Sequence, residues 1–376
     1  MFERIKHMLI KEFIQVFRDP KMRGIIFVMP VLQVLVFGYA VTLDVNNIAT
    51  AVYDLDNSVA SRELVVRFEK SGYFEIIEYV ESGERARALV DRGEASAVLQ
   101  MNRGFGDALR AGRTAELQLI VDGTDSNTAG VVLDYSAKIT KELSQKVLIT
   151  RFTRVKGSFE KPGTVELETR AWFNDNLESR NFYVPGVIAI VVMLITLMLT
   201  SMAVVREKEI GTIEQMMVTP ITPAEFILGK TLPFALIGFA DVVLVTVVGV
   251  FWFGVPIHGS LLLLFFATAL YLMTTLGIGL LISTVSQTQQ QAMMSAFFFY
   301  FPAVLLSGFM FPIANMPEVI QWLTYLNPLR YFLVVVRGIF LKGVGPEILW
   351  PEMLALAVLG LALLWLAASR FRKTLA

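Results

Sequence analysis

Stretches without a charged residue alternate with charged ones along this chain, and the spacing of apolar positions separates helix from strand. Residues 24–43 (GIIFVMPVLQVLVFGYAVTL) carry no charge and, at about 1.5 Å per residue, reach across a bilayer. Five further apolar stretches follow, at 183–205, 231–255, 260–283, 291–312 and 348–368. The pattern predicts six membrane-spanning helices. Ahead of the first, in residues 1–23, Phe2, Ile5, Leu9, Phe13 and Val16 recur at three- and four-residue steps, with Arg4, Lys6, Lys11 and Arg18 on other faces. That spacing predicts an amphipathic helix in the inner headgroup layer. It is too charged for a cleavable signal, and no small-residue cleavage site closes the apolar run behind it.

Residues 44–182 read differently. Runs at 48–53, 74–79, 95–101 and 116–121 have strand character, and 58–70, 83–92, 104–111 and 126–155 have helical character. Such alternation predicts a compact α/β domain. Residues 313–347 hold Pro317, Pro328, Trp322, Tyr325 and Tyr331 and predict short helices at the outer interface. Residues 369–376 form a tail. The expected fold class is a polytopic α-helical membrane protein with six transmembrane helices and an inserted extracytoplasmic α/β domain.

Composition sharpens this division. The chain is 55% hydrophobic, yet 40 of its 66 Asp, Glu, Lys and Arg residues fall within 44–182. Elsewhere charge is as scarce as membrane spans require. The net charge is zero, which gives no reason to expect a nucleic-acid partner. There is no cysteine, and the two histidines, His7 and His258, lie far apart. The composition therefore points to no disulfide and no metal site. Six basic residues precede the first span, and Arg370, Arg372 and Lys373 follow the last. With six spans both termini share one side, and the basic side is cytoplasmic. The α/β domain then lies outside.

Between the second and third spans lies 206–230, REKEIGTIEQMMVTPITPAEFILGK. Arg206, Glu207, Lys208 and Glu209 mark the exit from the membrane. Gly211 is a candidate bend, Pro220 a stop. Thr222, Pro223 and Glu225 have the order of a capping box that starts a new helix. Ile213, Met216 and Met217 offer an adaptable apolar surface, and Glu207, Glu209 and Glu214 offer charge to a basic partner.

No enzyme constellation emerges. Leu228–Thr231 (LGKT) has the end of a phosphate loop, but the glycine required five residues earlier is Ala224. Gly104–Leu109 has two glycines of a dinucleotide fingerprint and no third. Asp54 and Asp56 read as turn and cap residues, with a calcium or catalytic role as the alternative. Asp241 stands alone inside the third span, where a charge must face protein or water. Two readings stand: a polar group that bonds helices together, and a proton or cation site.

The order of parts resembles the ABC-2 type permeases, in their bacterial inner-membrane drug-export branch with a large outer domain. The segment 206–230 carries that resemblance together with AVYDLDNS, LQLIVDGTDSN, WFNDNL, SQTQQQA, LLSGFMFPIANMP and LNPLRYF. The resemblance implies a permease subunit that moves drug-like or lipid-like cargo outward, in the bacterial inner membrane. It implies separate ABC ATPase subunits that carry the ATP and Mg2+, and a second permease chain, the same or a sister. No cofactor is expected on this chain itself. The ATPase-coupling residues would be Arg206, Glu207, Lys208, Glu209, Gly211, Thr212, Ile213, Glu214, Met216 and Met217. Spans two and five would line the path, which gives Met193, Thr196, Met198 and Thr200 with Phe297, Phe298, Phe299 and Phe301, and Asp241 joins them as a candidate. The outer domain would cap the exit or dock a periplasmic adaptor. The competing reading is a membrane-anchored sensor whose outer domain binds a ligand.

Overall fold

The computed structural model describes residues 2–40, 47–156, 172–174, 178–211 and 222–374. It divides into two compact units, residues 1–42 with 170–376, and residues 43–169. In the first, helix α1 (Phe2–Arg18) stops at Asp19, and Pro20 opens α2 (Pro20–Arg23). The chain then passes through a π-helical turn (Gly24–Val28) into α3 (Met29–Ala40).

The second unit follows the expected alternation to within two residues at every boundary. Strands β1 (Ile48–Asp54), β2 (Phe74–Tyr79), β3 (Ala97–Met101) and β4 (Leu117–Val121) alternate with helices α4 (Val59–Lys70), α5 (Gly83–Asp91), α6 (Phe105–Ala111) and α7 (Ser126–Lys156). The sheet order is β2-β1-β3-β4. β1 runs parallel to β2 and to β3, and β4 runs antiparallel to β3. Because side chains alternate along a strand, one sheet face carries Ile48, Val52, Leu99 and Met101 against Phe68, Phe105 and Val132. The other carries Ala51 and Val98 against Ala86 and Leu89 of α5.

Asp54 and Asp56 act as caps. Asp54 Oδ1 accepts from the N–H groups of Asp56 and Asn57, and its Oδ2 accepts from the Ser61 hydroxyl at 2.6 Å. Asp56 reaches across to α6 and accepts from Gly104 N–H at 2.7 Å and Gly106 N–H at 2.8 Å. A Cβ at Gly106 would lie 2.6 Å from Ser58 Oγ, so only glycine allows this approach. The Ser58 hydroxyl and the Gly106 amide hold the Asp56 carboxyl below its ordinary pKa.

The helical unit continues with α8 (Ser179–Ile210), α9 (Pro223–Phe251), α10 (Leu261–Val285), α11 (Gln289–Leu305), α12 (Glu318–Thr324), α13 (Pro328–Arg337) and α14 (Pro346–Thr374). Among the described residues four helices, α8, α9, α10 and α14, are long and apolar enough to cross a membrane, or five spans if α12 and α13 count as one bent span. This is the make-up of a polytopic membrane protein. Helix α8 is the hub. In its most apolar 18 residues 83% are buried, against 22% in α14. Small residues permit this packing. A Cβ at Gly279 of α10 would sit 2.7 Å from Thr200 Cβ of α8.

Several expected bounds shift for local reasons. The second apolar stretch continues helically to Ile210, and Gly211, at φ +79°, ends it. The run expected at 291–312 stops at Leu305, and Gly308 takes a left-handed turn at φ +83°. Residues 313–347 divide at a 78° bend. Helix α12 is largely exposed, with Trp322 74% accessible, whereas α13 buries Leu329, Phe332, Leu333 and Val336 in the core of the helical unit. Phe332 stacks on Tyr271 at 4.1 Å. On α1, Val16 of the expected apolar face is buried, while Ile10, Ile14 and Phe17 are exposed.

Candidate functional site

The Arg206 end of α8 is where four other helices are fastened. Towards α10, Ser283 Oγ accepts from the N–H groups of Val204 and Val205 at 3.0 and 3.1 Å. Lys208 Nζ donates to Thr284 C=O at 2.9 Å, so its charge satisfies a carbonyl at the end of α10. Towards α11, Glu209 accepts from the backbone and side-chain amides of Gln289, at the helix start that Thr288 caps.

Glu207 points the other way, inward. Its Oε1 lies 2.7 Å from Lys230 Nζ of α9 and 2.8 Å from Lys11 Nζ of α1. Lys230 also reaches Glu12 Oε1 at 2.6 Å. The side chains of Lys230, Glu12 and Glu207 are 3%, 6% and 5% exposed, so two carboxylates share one ammonium away from water, with Lys11 completing the balance at the rim. Beside them, Gln15, with its amide oxygen assigned towards Arg206, accepts from that guanidinium at 2.8 Å. A cavity of about 20 Å3, room for about one water, lies among Glu12, Gln15, Arg206, Lys230 and Phe234.

Local sequence explains the meeting. Pro220 lies outside the described residues, but the expected cap beyond it is present. Glu225 Oε2 accepts from Thr222 N–H at 2.8 Å, and the Thr222 hydroxyl oxygen accepts from Glu225 N–H. From that start, Lys230 falls two turns into α9. Gly229 beside it brings α1 close, since a Cβ there would meet Met8 at 2.9 Å. The LGKT stretch is thus a helix-docking element.

Of the expected coupling residues, Arg206, Glu207, Lys208 and Glu209 come together here, with Gly211 at the helix end. Thr212, Ile213, Glu214, Met216 and Met217 lie outside the described residues. Glu207 is a correction: its carboxylate is buried in a bond to its own chain and is not turned outward to a partner. Sequence reading missed Glu12 and Lys230. The signal was there, since a lysine seven residues into an apolar helix needs a counter-charge.

The path candidates do not converge. Met193, Thr196 and Thr200 are fully buried in the seam between α8 and its neighbours. Thr196 Oγ1 donates to Val192 C=O at 2.6 Å and lies 3.0 Å from Thr275 Oγ1. Asp241 is 1% exposed, and its Oδ2 has no hydrogen-bond partner among the described residues. Phe298 and Phe301 instead face outward on α11, 81% and 59% exposed, with Phe297 stacked on Phe301 at 6.1 Å. Met198 and Phe299 are half-buried.

Comparison with known proteins gives the frame for this junction. The family model described as ABC-2 family transporter protein matches residues 21–369. The chain is 35% identical to the probable multidrug ABC transporter permease YbhR of Escherichia coli (strain K12), over 93% of both chains. It is 34% identical to the probable multidrug ABC transporter permease YbhS of the same organism, over 93% of this chain and 91% of that one. It is 30% identical to the inner membrane transport permease YhhJ, also of Escherichia coli (strain K12), over 94% and 96%. With its helical unit, its small mixed sheet and these relatives, the chain belongs to the ABC-2 family of transporter permeases.

Proposed function

We propose that the chain is the membrane-spanning permease subunit of an ATP-driven exporter in a bacterial inner membrane. Six spans place both termini in the cytoplasm and residues 44–182 outside. ATP and Mg2+ belong to separate ABC ATPase subunits, which meet the segment that begins at Arg206. Two permease chains form the conduit, and cargo is apolar or amphipathic, drug-like or lipid-like. The outer domain caps the exit or docks a periplasmic adaptor.

One observation carries this reading. The last two turns of α8 are bonded to α1, α9, α10 and α11 at once, through Glu207, Ser283, Lys208 and Glu209. A force applied just beyond Gly211 therefore acts on most of the helical unit, as a discrete rearrangement driven by a partner requires. Asp241, buried in α9 with an unpartnered Oδ2 among the described residues, is carried in this proposal as an ionisable position. Full export by Asp241→Asn would remove that assignment.

The test is native mass spectrometry of the full chain extracted with its partners retained. Two permeases with two ATPases is the expected particle. A docking variant must spare the buried junction, so Ile210→Glu is preferred, at a side chain 62% exposed. It should release the ATPases and keep the permease pair. A chain that emerges alone, under conditions that hold a known exporter together, would overturn the proposal.

A further inference from the structure

The sheet of the α/β unit ends on β4, and among the described residues the far edge of β4 pairs with no strand. Two bonds show which of its backbone groups point outward. Asp122 N–H donates to Ser96 C=O in the register of the β3–β4 pair, and Leu55 N–H donates to Met101 C=O on the β1 side. The even-numbered residues of β4 therefore bond to β3. The N–H and C=O groups of Leu117, Leu119 and Val121 point away from it. Leu117–Val121 contain no charge, no proline and no register shift against β3. Beside this edge a groove of about 800 Å3 opens between β4 and α7, lined by Leu117, Leu119, Leu133, Ser136, Ala137 and Thr140. Leu133 is 54% exposed there, and the buried Ser136 hydroxyl has no hydrogen-bond partner among the described residues.

We propose that β4 pairs antiparallel with β4 of a second copy of this chain, centred on Leu119. The strand is self-complementary about that residue. Leu117 falls opposite Val121 and Leu119 opposite itself, and these are the hydrogen-bonded pairs that the outward groups require. Gln118 falls opposite Ile120 on the open face, and Arg113 opposite Asp125. Centring on Gln118 or Ile120 sends one of the three outward residues past the end of the strand, to Ala115 or Gly123. The like-charged pair of Glu116 and Asp122 limits the ladder to five residues a side. The odd-numbered side chains of the second copy then enter the groove beside Leu133. The result is one sheet of eight strands across two outer domains. This rests on the two-permease reading above and selects two identical permeases over a sister pair.

The chain has no cysteine, which makes the test direct. Two differently tagged full-length copies are co-expressed in membranes, one with Gln118→Cys and one with Ile120→Cys, then oxidised. Opposed residues of a non-hydrogen-bonded pair lie about 4.5 Å apart at Cα, within reach of a disulfide. The mixed pair should cross-link about tenfold more than 118 with 118 or 120 with 120, whose positions are diagonal. Equal yields, or none, in membranes whose native mass spectrum retains two permeases would overturn the strand pairing and leave the two-permease reading standing. A single permease in that spectrum would overturn both. A cross-link from position 118 to a different protein, in place of the second copy, would overturn the choice of occupant.

Discussion

Two ion pairs in this chain have nearly the same contact distance and opposite surroundings. Lys230 Nζ lies 2.7 Å from Glu207, with side chains 3% and 5% exposed. Arg85 Nη2 lies 2.8 Å from Glu78 in the α/β unit, with side chains 43% and 36% exposed. Contact distance does not separate them; water does. If the surface pair opens, solvent takes over its hydrogen bonds. If the buried cluster loses one member, the charges left behind have no solvent to turn to. The α/β unit carries its charge mainly as a solvated surface. The helical unit has few charges, and at the Arg206 end of α8 it uses them to hold helices in place.

The largest expected effect comes from breaking the buried cluster. Lys230→Met leaves Glu12 and Glu207 buried side by side, with Lys11 at the exposed rim. Removing one member of such a cluster costs on the order of 3–5 kcal/mol. Thermal unfolding of the purified full chain should show a clear fall in midpoint. Adding Glu12→Gln and Glu207→Gln to Lys230→Met should recover most of it, because a neutral junction strands no charge. If Lys230→Met alone leaves the midpoint in place, burial is not what separates the two pairs.

A second change sharpens the contrast from the apolar side. Gly279→Ala forces a methyl group to within 2.7 Å of Thr200 Cβ, with the Leu197 carbonyl at 3.3 Å. Neither neighbour has a flexible end that can swing away. Overpacking of this kind costs about 1–3 kcal/mol. The same readout applies, and a midpoint matching the parent chain would show that α8 and α10 can separate freely at this level.

The two units also differ in how much of them the sequence discloses. In the α/β unit, period-two runs such as Leu117–Val121 and capping signals such as Ser58 sit where local chemistry requires them, so element bounds could be read directly. In the helical unit, apolar runs locate helices but not their partners. Nothing local told that Met193, Thr196 and Thr200 are sealed in the seam while Phe298 and Phe301 face outward. Glu207 read as an outward charge because its counter-ion lies 23 positions away and Glu12 lies 218 positions from Lys230. Arg206 to Gly211 were legible as a segment; the direction each side chain takes was set by tertiary packing. Pro328 marked the start of α13, but the burial of that helix depended on the face Tyr271 presents to it.

A smaller effect is expected at Asp56, where one carboxylate ties the turn after β1 to the start of α6. Asp56→Ala removes the acceptor for Gly104 and Gly106 N–H. Loss of such a cap costs on the order of 1 kcal/mol. Hydrogen exchange at those amides should quicken while the helical unit is unaffected. The pH dependence has a definite sign. Hydrogen bonds from the Ser58 hydroxyl and the Gly106 amide hold the carboxyl below its ordinary value. The cap is therefore complete above the ordinary carboxylate range and is lost as pH falls through the lowered value. In the parent chain, protection at Gly106 should hold from pH 7 to about pH 5 and decline only in stronger acid. In Asp56→Ala that decline should be absent.

The smallest expected effect returns to the surface pair. Arg85→Ala deletes a two-pronged contact, with Nε at 2.9 Å and Nη2 at 2.8 Å from the two Glu78 oxygens. By distances alone it rivals any bond in the buried cluster. Its hydrogen bonds lower the Glu78 carboxyl pKa and raise that of Arg85. Both groups stand in solvent, however, and salt screens what remains. The unfolding midpoint of Arg85→Ala should be indistinguishable from that of the parent at physiological salt, and Glu78→Gln should behave alike. A fall comparable to that of Lys230→Met would mean that contact geometry outweighs burial in this chain, and the inward turn of Glu207 would then lose its explanation as the feature that holds the Arg206 end of α8.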